Sequence, residues 1–113
     1  MQTKRWQYVT FLYWENLMNW SENEDKLCCS TIISEYVIVL GSKDIEIVLN
    51  GIKDNEVFGG RDIGSIRMRF QNIKALLEEF NIKNTLPLKP LKNVAKQTRT
   101  ILKEELKNAQ IFV

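Results

Sequence analysis

The most regular pattern in the chain is an apolar stripe between residues 61 and 80. Apolar side chains recur there at spacings of three and four residues, which places them on one arc of an α-helix with 3.6 residues per turn. The members of the stripe are Ile63, Ile66, Phe70, Ile73, Leu77 and Phe80. The pattern predicts an amphipathic helix over residues 61–80 with one face in a core, and Asp62 is a suitable N-cap for it.

Long hydrogen-bonding side chains border this stripe on both sides. They are Arg67, Gln71, Lys74 and Glu78 on one flank and Ser65, Arg69 and Asn72 on the other. A surface of this kind suits a helix that enters the major groove of DNA.

Periodicity predicts further helices before this one. The first covers Lys4 to Trp20 and is apolar around much of its circumference, which favours burial over partner docking. An acidic connection, Ser21 to Lys26, follows, and a second helix begins near Ser30 or Thr31, whose hydroxyls can cap it. Residues 32–40 are rich in β-branched side chains and could form a strand, but we interpret them as helical, with Gly41 at the end.

Two more helices complete the predicted fold. Ser42 can cap a short helix from Lys43 to about Gly51, and a final helix runs from Asn93 to about Gln110. The proline-rich stretch from Asn81 to Lys92 predicts an ordered strap against the domain. The sequence therefore predicts an all-α fold, a compact bundle of about five helices forming a single domain over residues 1–113.

Composition excludes several kinds of chemistry. The chain has no histidine, and its two cysteines are the neighbours Cys28 and Cys29. Histidine-dependent nucleophilic catalysis is therefore impossible, and the usual zinc-ligand spacing is missing. We expect no catalytic residue, metal or cofactor, and we expect the protein not to be an enzyme.

The chain has no apolar run long enough to span a membrane and begins without a signal-peptide core, so we expect a cytoplasmic protein with no membrane partner.

Charge is distributed unevenly along the chain. Residues 1–60 contain five Lys/Arg and nine Asp/Glu, whereas residues 61–113 contain eleven Lys/Arg and five Asp/Glu. The balance is therefore minus four in the first half and plus six in the second. A basic half indicates a polyanion partner such as DNA, although solvated charge alone gives the same count.

The residues from Gly60 to Leu77 also carry a resemblance. The pattern Gly-Arg-x-x-Gly-Ser-Ile-x-x-x-x-Gln-Asn-Ile-x-Ala-Leu-Leu, followed by Leu-Pro-Leu-Lys-Pro-Leu-Lys-Asn, resembles a helical domain found beside HNH nuclease modules in bacterial restriction-type proteins. The resemblance spans roughly Leu49 to Leu106. It implies a DNA-binding role, with recognition of a target or a modified base, and it implies no cleavage by these residues.

A short helix, a glycine-containing turn and a basic helix are also similar to a helix-turn-helix arrangement, although the turn is long for that motif. On this interpretation the predicted nucleic-acid-binding residues are Arg61, Ser65, Arg67, Arg69, Gln71 and Lys74. Arg61, Ser65 and Arg67 would lie nearest the DNA, Gln71 could pair with an adenine edge, and the others would meet phosphates.

The sequence supports two hypotheses from different classes. The first is a non-enzymatic DNA-binding domain, restriction- or defence-associated or regulatory, whose helix 61–80 contacts duplex DNA. The alternative is a small phage or mobile-element inhibitor that binds a host nuclease or defence complex through an acidic surface. A homodimer is possible under either hypothesis. The acidic set comprises Glu15, Glu22, Glu24, Asp25, Asp44, Glu46, Asp54 and Glu56.

Overall fold

The computed structural model describes residues 19–111. This part of the chain is helical and contains no β-strand, which confirms the predicted all-α class. Its four α-helices are α1 (Glu22–Ile32), α2 (Ile45–Ile52), α3 (Ile63–Glu79) and α4 (Lys96–Asn108). The predicted helix from Lys4 to Trp20 lies outside the described residues except for its last two positions, which are not helical.

Helix α1 begins earlier than the sequence interpretation placed it. The Ser21 hydroxyl accepts a hydrogen bond from the backbone N–H of Glu24, and the Glu24 carboxylate accepts one from the backbone N–H of Ser21, which together form a capping box. The stretch interpreted as an acidic connection is therefore the first turn of α1, where carboxylates stabilise the positive end of the helix dipole. The Thr31 hydroxyl, expected to cap, instead donates back to the carbonyl of Leu27 at 2.7 Å.

The β-branched stretch that follows is helical, as interpreted. The chain continues from α1 into a wider π-helical turn, Ile33–Ile38, and becomes extended at Val39. Tyr36 is fully buried in this turn, and its hydroxyl donates to the carbonyl of Lys43 at 3.1 Å. This contact ties the loop after the turn to the core.

Helix α2 is capped by Asp44 rather than by Ser42, because the Asp44 carboxylate accepts from the backbone N–H of Glu46 at 2.8 Å. A 3-10 turn, Glu56–Phe58, then leads to Gly59 and Gly60, which have φ values of 56° and 83°. Glycine adopts these left-handed angles without the penalty that a Cβ would bring. These angles confirm the glycine-containing turn that the sequence predicts before the basic helix.

Helix α3 is the predicted amphipathic helix, with Asp62 as its N-cap accepting from the backbone N–H of Ser65 at 2.8 Å. It contacts α1, α2 and α4. The four central members of its apolar stripe are buried and the two terminal ones are half-buried. Residues 53–62 separate it from α2, a longer connection than the three or four residues typical of a helix-turn-helix.

The proline-rich stretch is an ordered strap along α3 and the π-helical turn, as predicted. Leu86 is 2% exposed, and the backbone N–H groups of Thr85 and Leu91 donate to the carbonyls of Tyr36 at 2.9 Å and of Gln71 at 3.0 Å. Helix α4 begins only after this strap. Among the described helices, none combines the length and the apolar character needed to cross a membrane.

Candidate nucleic-acid interface

The basic helix is joined to α1 by two adjacent carboxylates. The first, Glu24, accepts from Nε of Arg61 at 2.6 Å and from Nη2 at 3.1 Å. Both side chains are buried, with 5% of Arg61 and 7% of Glu24 exposed. Arg61 also donates to the carbonyl of Asn19 at 3.2 Å. Its guanidinium therefore connects the start of α1 to the turn that precedes α3.

The second carboxylate, Asp25, is completely buried and lies opposite Arg69 of α3. Their closest atoms, Arg69 Nε and Asp25 Oδ1, are 3.3 Å apart and form an ion pair, although neither atom has a hydrogen bond. The Thr98 hydroxyl of α4 completes the group, because it accepts from Arg69 Nη1 at 2.6 Å and donates to Asp25 Oδ2 at 3.3 Å. Burial lowers the pKa of Arg69, and the Asp25 charge opposes that shift.

The Trp20 indole ring packs beside both pairs. The guanidinium carbon of Arg61 lies 4.2 Å from the ring centroid and that of Arg69 lies 4.5 Å from it. The Gln97 amide of α4 donates to the Trp20 carbonyl at 2.7 Å and to Asp25 at 2.8 Å. These contacts hold α1, α3 and α4 together through buried charge and an aromatic ring.

Arg67 makes a third ion pair, this time at the surface. Its two terminal nitrogens bind the two carboxylate oxygens of Glu46 on α2, at 2.5 and 3.0 Å. The hydrogen bond from Arg67 lowers the pKa of the Glu46 carboxyl, and the same bond raises the pKa of Arg67. Because 34% of the Arg67 side chain is exposed, solvent screens this pair more than the buried ones.

The other predicted contact residues are less constrained. Lys74 donates to the side-chain oxygen of Asn84 in the strap at 2.9 Å, and Ser65 and Gln71 are half-buried. Asn72, which borders the same stripe, donates to the Leu91 carbonyl at 2.7 Å. The strap therefore accepts hydrogen bonds from the side chains of Asn72 and Lys74 on this part of α3.

The structure corrects the predicted interface at two positions. Arg61 and Arg69 were expected to face DNA, but both guanidinium groups lie inside the domain, paired with Glu24 and Asp25. A buried arginine cannot reach DNA unless α1 and α3 separate. Separation would leave the carboxylates of Glu24 and Asp25 without their partners. Contacts from the other four predicted residues stay predictions.

Most of the excess positive charge of the second half lies after α3. Residues 81–111 contain seven Lys/Arg and two Asp/Glu, which gives a balance of plus five. Three lysines of α4, Lys96, Lys103 and Lys107, are exposed and make no ion pair within the described residues. At 100° per residue they fall within an arc of about 40°, and they extend over about 16 Å of the helix. We call these three residues the lysine stripe.

Neighbouring groups extend the basic surface beyond the lysine stripe. Arg99 pairs with Glu79 of α3, while the Lys103 ammonium lies 5.5 Å from the centroid of the Phe80 ring. Lys92 of the strap lines an open groove of about 450 Å³ together with Arg99 and Glu79. Glu104 is an exposed carboxylate on the adjoining flank of α4. The surface is therefore mostly, though not solely, cationic.

The acidic set of the first half is mostly committed to internal contacts. Glu24 and Asp25 are buried, Glu46 binds Arg67 and Asp44 caps α2, while Glu15 lies outside the described residues. The remaining exposed members are Glu22, Asp54 and Glu56. Burial therefore removes Glu24 and Asp25 from the acidic surface expected for an inhibitor, and that alternative stays a prediction.

The two cysteines show no sign of catalytic activation. Both thiols are buried and reduced in the structure. Burial raises the pKa of Cys28 and of Cys29 well above the usual range, so the reactive thiolate is scarce near neutral pH. Within residues 19–111, no cluster of histidine, cysteine and carboxylate side chains could hold a metal ion.

Sequence reasoning missed the buried group formed around Trp20, Glu24 and Asp25. One signal could have revealed it, because Ser21 and Glu24 have the Ser-x-x-Glu spacing of a capping box. That spacing fixes the start of α1 and thereby places two carboxylates in its first turn. The identity of their partners depends on how α3 packs, which the local pattern does not specify.

Comparisons with protein-family models, curated proteins and solved structures gave no match to this chain. The resemblance noted for residues 60–77 therefore stays a prediction.

Proposed function

We propose that this domain is a non-enzymatic module that binds duplex DNA through the phosphate backbone. The proposal keeps the DNA partner expected from the sequence and moves the main contact surface from the arginines of α3 to the lysine stripe of α4. The proposal includes an association with restriction or defence proteins, a cytoplasmic location and a helix-turn-helix mode of docking.

The exposed, unpaired state of the lysine stripe is the observation that carries the proposal. Exposed ammonium groups on one helix face can each approach a phosphate and release condensed counterions, which supplies affinity that is independent of base sequence. The apolar residues Ile101, Leu102 and Leu106 are buried on the opposite side of α4. The helix is therefore fixed to the domain while its lysines point to solvent.

The buried ion pairs have a supporting role in this proposal. They anchor α1 and α3 to α4, since Asp25 bonds to both Gln97 and Thr98. A rigid support reduces the conformational entropy that is lost when the surface binds a ligand. The arginines therefore contribute to binding by holding the surface in place.

A salt titration of duplex binding tests the proposal. Fluorescence anisotropy with a labelled duplex should show affinity that falls log-linearly with salt concentration. Replacing Lys96 and Lys107 by glutamine should make the negative slope of log K against log salt shallower by about 2, since each phosphate contact contributes about 0.9 to its magnitude.

A matched variant controls for the change in net charge. Lys26 and Lys53 lie in the first half of the chain and likewise form no ion pair within the described residues. Replacing this pair by glutamine removes the same formal charge and should leave the slope nearly unchanged. Equal effects of the two double variants would refute the assigned surface, and no duplex binding at low salt would refute the function.

A further inference from the structure

We infer that the domain binds duplex DNA of any base sequence with nearly equal affinity; this inference rests on the proposed function. Base reading requires planar side chains that can make two hydrogen bonds to a base edge, such as arginine to guanine or asparagine and glutamine to adenine. The structure assigns most of the candidates on α3 to internal partners.

The three arginines near the start of α3 are the strongest candidates for base reading. Arg61 and Arg69 are buried against Glu24 and Asp25, and Arg67 presents both terminal nitrogens to Glu46. A carboxylate binds two nitrogens of Arg61 and two of Arg67, while Arg69 is ion-paired with Asp25 and donates to the Thr98 hydroxyl. These arginines are therefore matched to intramolecular carboxylates.

The Asn72 amide of α3 is restricted by the strap. The side-chain nitrogen of Asn72 donates to the Leu91 carbonyl at 2.7 Å, and the Leu91 N–H donates to the carbonyl of Gln71 at 3.0 Å. These two bonds hold the strap across this part of the helix. A base edge would have to displace the strap before it could reach the Asn72 amide.

The exposed cationic groups are of a different kind. The lysine stripe offers ammonium groups, which act as point charges and lack the fixed fork geometry of arginine. Phosphate contacts position a protein on a duplex but carry no sequence information directly. A surface that combines exposed lysines with internally bonded arginines and an internally bonded Asn72 therefore favours uniform binding along DNA.

The test compares three unrelated duplexes of equal length, one A·T-rich, one G·C-rich and one mixed, under one salt condition. We expect dissociation constants within about threefold of each other, since even one unfavourable base pair in a specific site typically changes affinity by about tenfold. Gln71→Ala removes the remaining amide of α3 that could read a base, and the spread among the three dissociation constants should stay within about threefold. Gln71 is the appropriate position because its replacement leaves the net charge unchanged.

The outcomes separate the inference from the function. A preference of more than about tenfold for one duplex that disappears in Gln71→Ala would overturn the inference and leave DNA binding intact. A preference of that size that persists in the variant would also overturn it. No binding to any duplex at low salt would overturn the proposed function, and the inference would fall with it.

Discussion

Replacing Asp25 by asparagine tests the view that buried charge pairs hold this fold together. Asp25 is completely buried, and its partner Arg69 has only 9% of its side chain exposed. The variant keeps the size of the side chain but removes its charge, which leaves the guanidinium unpaired inside the domain. Breaking a buried pair in this way costs about 3–5 kcal/mol.

That loss is large against the total stability of about 5–15 kcal/mol that a domain of this size has. With a denaturant slope of about 2 kcal/mol/M, a loss of 4 kcal/mol lowers the urea midpoint by about 2 M. Far-UV circular dichroism during urea titration measures the shift. Asp54→Asn is the control, because Asp54 is exposed and forms no ion pair within the described residues.

A double variant keeps the test decisive if Asp25→Asn fails to fold. Replacing Asp25 by leucine and Arg69 by methionine removes both charges and retains apolar volume, but it leaves the buried Thr98 hydroxyl without its partners. That costs about 1–3 kcal/mol, less than the unpaired charge, so the double variant should be less destabilising than the single change. The reasoning would be refuted if the single variant lost less than about 1 kcal/mol, the value typical of an exposed pair. It would also be refuted if the double variant were the less stable of the two.

The remaining predictions concern local structure and burial. Ser21→Ala should lower the free energy of unfolding by about 1 kcal/mol by removing the cap of α1, whereas Ser42→Ala should not, and urea titration of both variants measures the difference. Gly51→Ala should stabilise α2 by about 0.5–1 kcal/mol, because no heavy atom lies within 4 Å of the added Cβ. Gly60→Ala should destabilise because its φ of 83° disfavours any side chain, and equal thermal midpoints of these two variants would contradict the reasoning. Both cysteine thiols should resist Ellman's reagent in the native protein at pH 8 and react on unfolding, whereas rapid native reaction would contradict their burial and raised pKa.

The sequence predicted α3 well because its signals are local and agree with each other. The stripe around Ile66, Phe70 and Ile73 has helical spacing, Asp62 supplies the N-cap, and the Gly-Gly turn ends the preceding segment. The sequence placed the start of α1 incorrectly because Ser30 and Thr31 also have capping hydroxyls. Only the reciprocal bonds of the capping box at Ser21 decide between these positions.

The candidate site was harder to predict, because a charged residue on the border of an apolar stripe has two possible environments. Arg69 and Lys74 both border the stripe of α3, yet Arg69 is buried and Lys74 is only half-buried. The difference arises from α1 and α4, which bring Asp25 and Thr98 to Arg69. A carboxylate more than forty positions away in the chain has no signature in the local pattern.

The amino-acid sequence by itself determined the helical class of the described residues, the core face of α3, the ordered strap and the lack of histidine chemistry. These properties follow from periodicity, caps and prolines, which depend on residues close together in the chain, and from composition, which does not depend on residue order. Only the tertiary structure decided which cations face solvent. Pairing between Asp25 and Arg69 depends on helices that meet in space, and the same packing leaves the lysine stripe of α4 exposed.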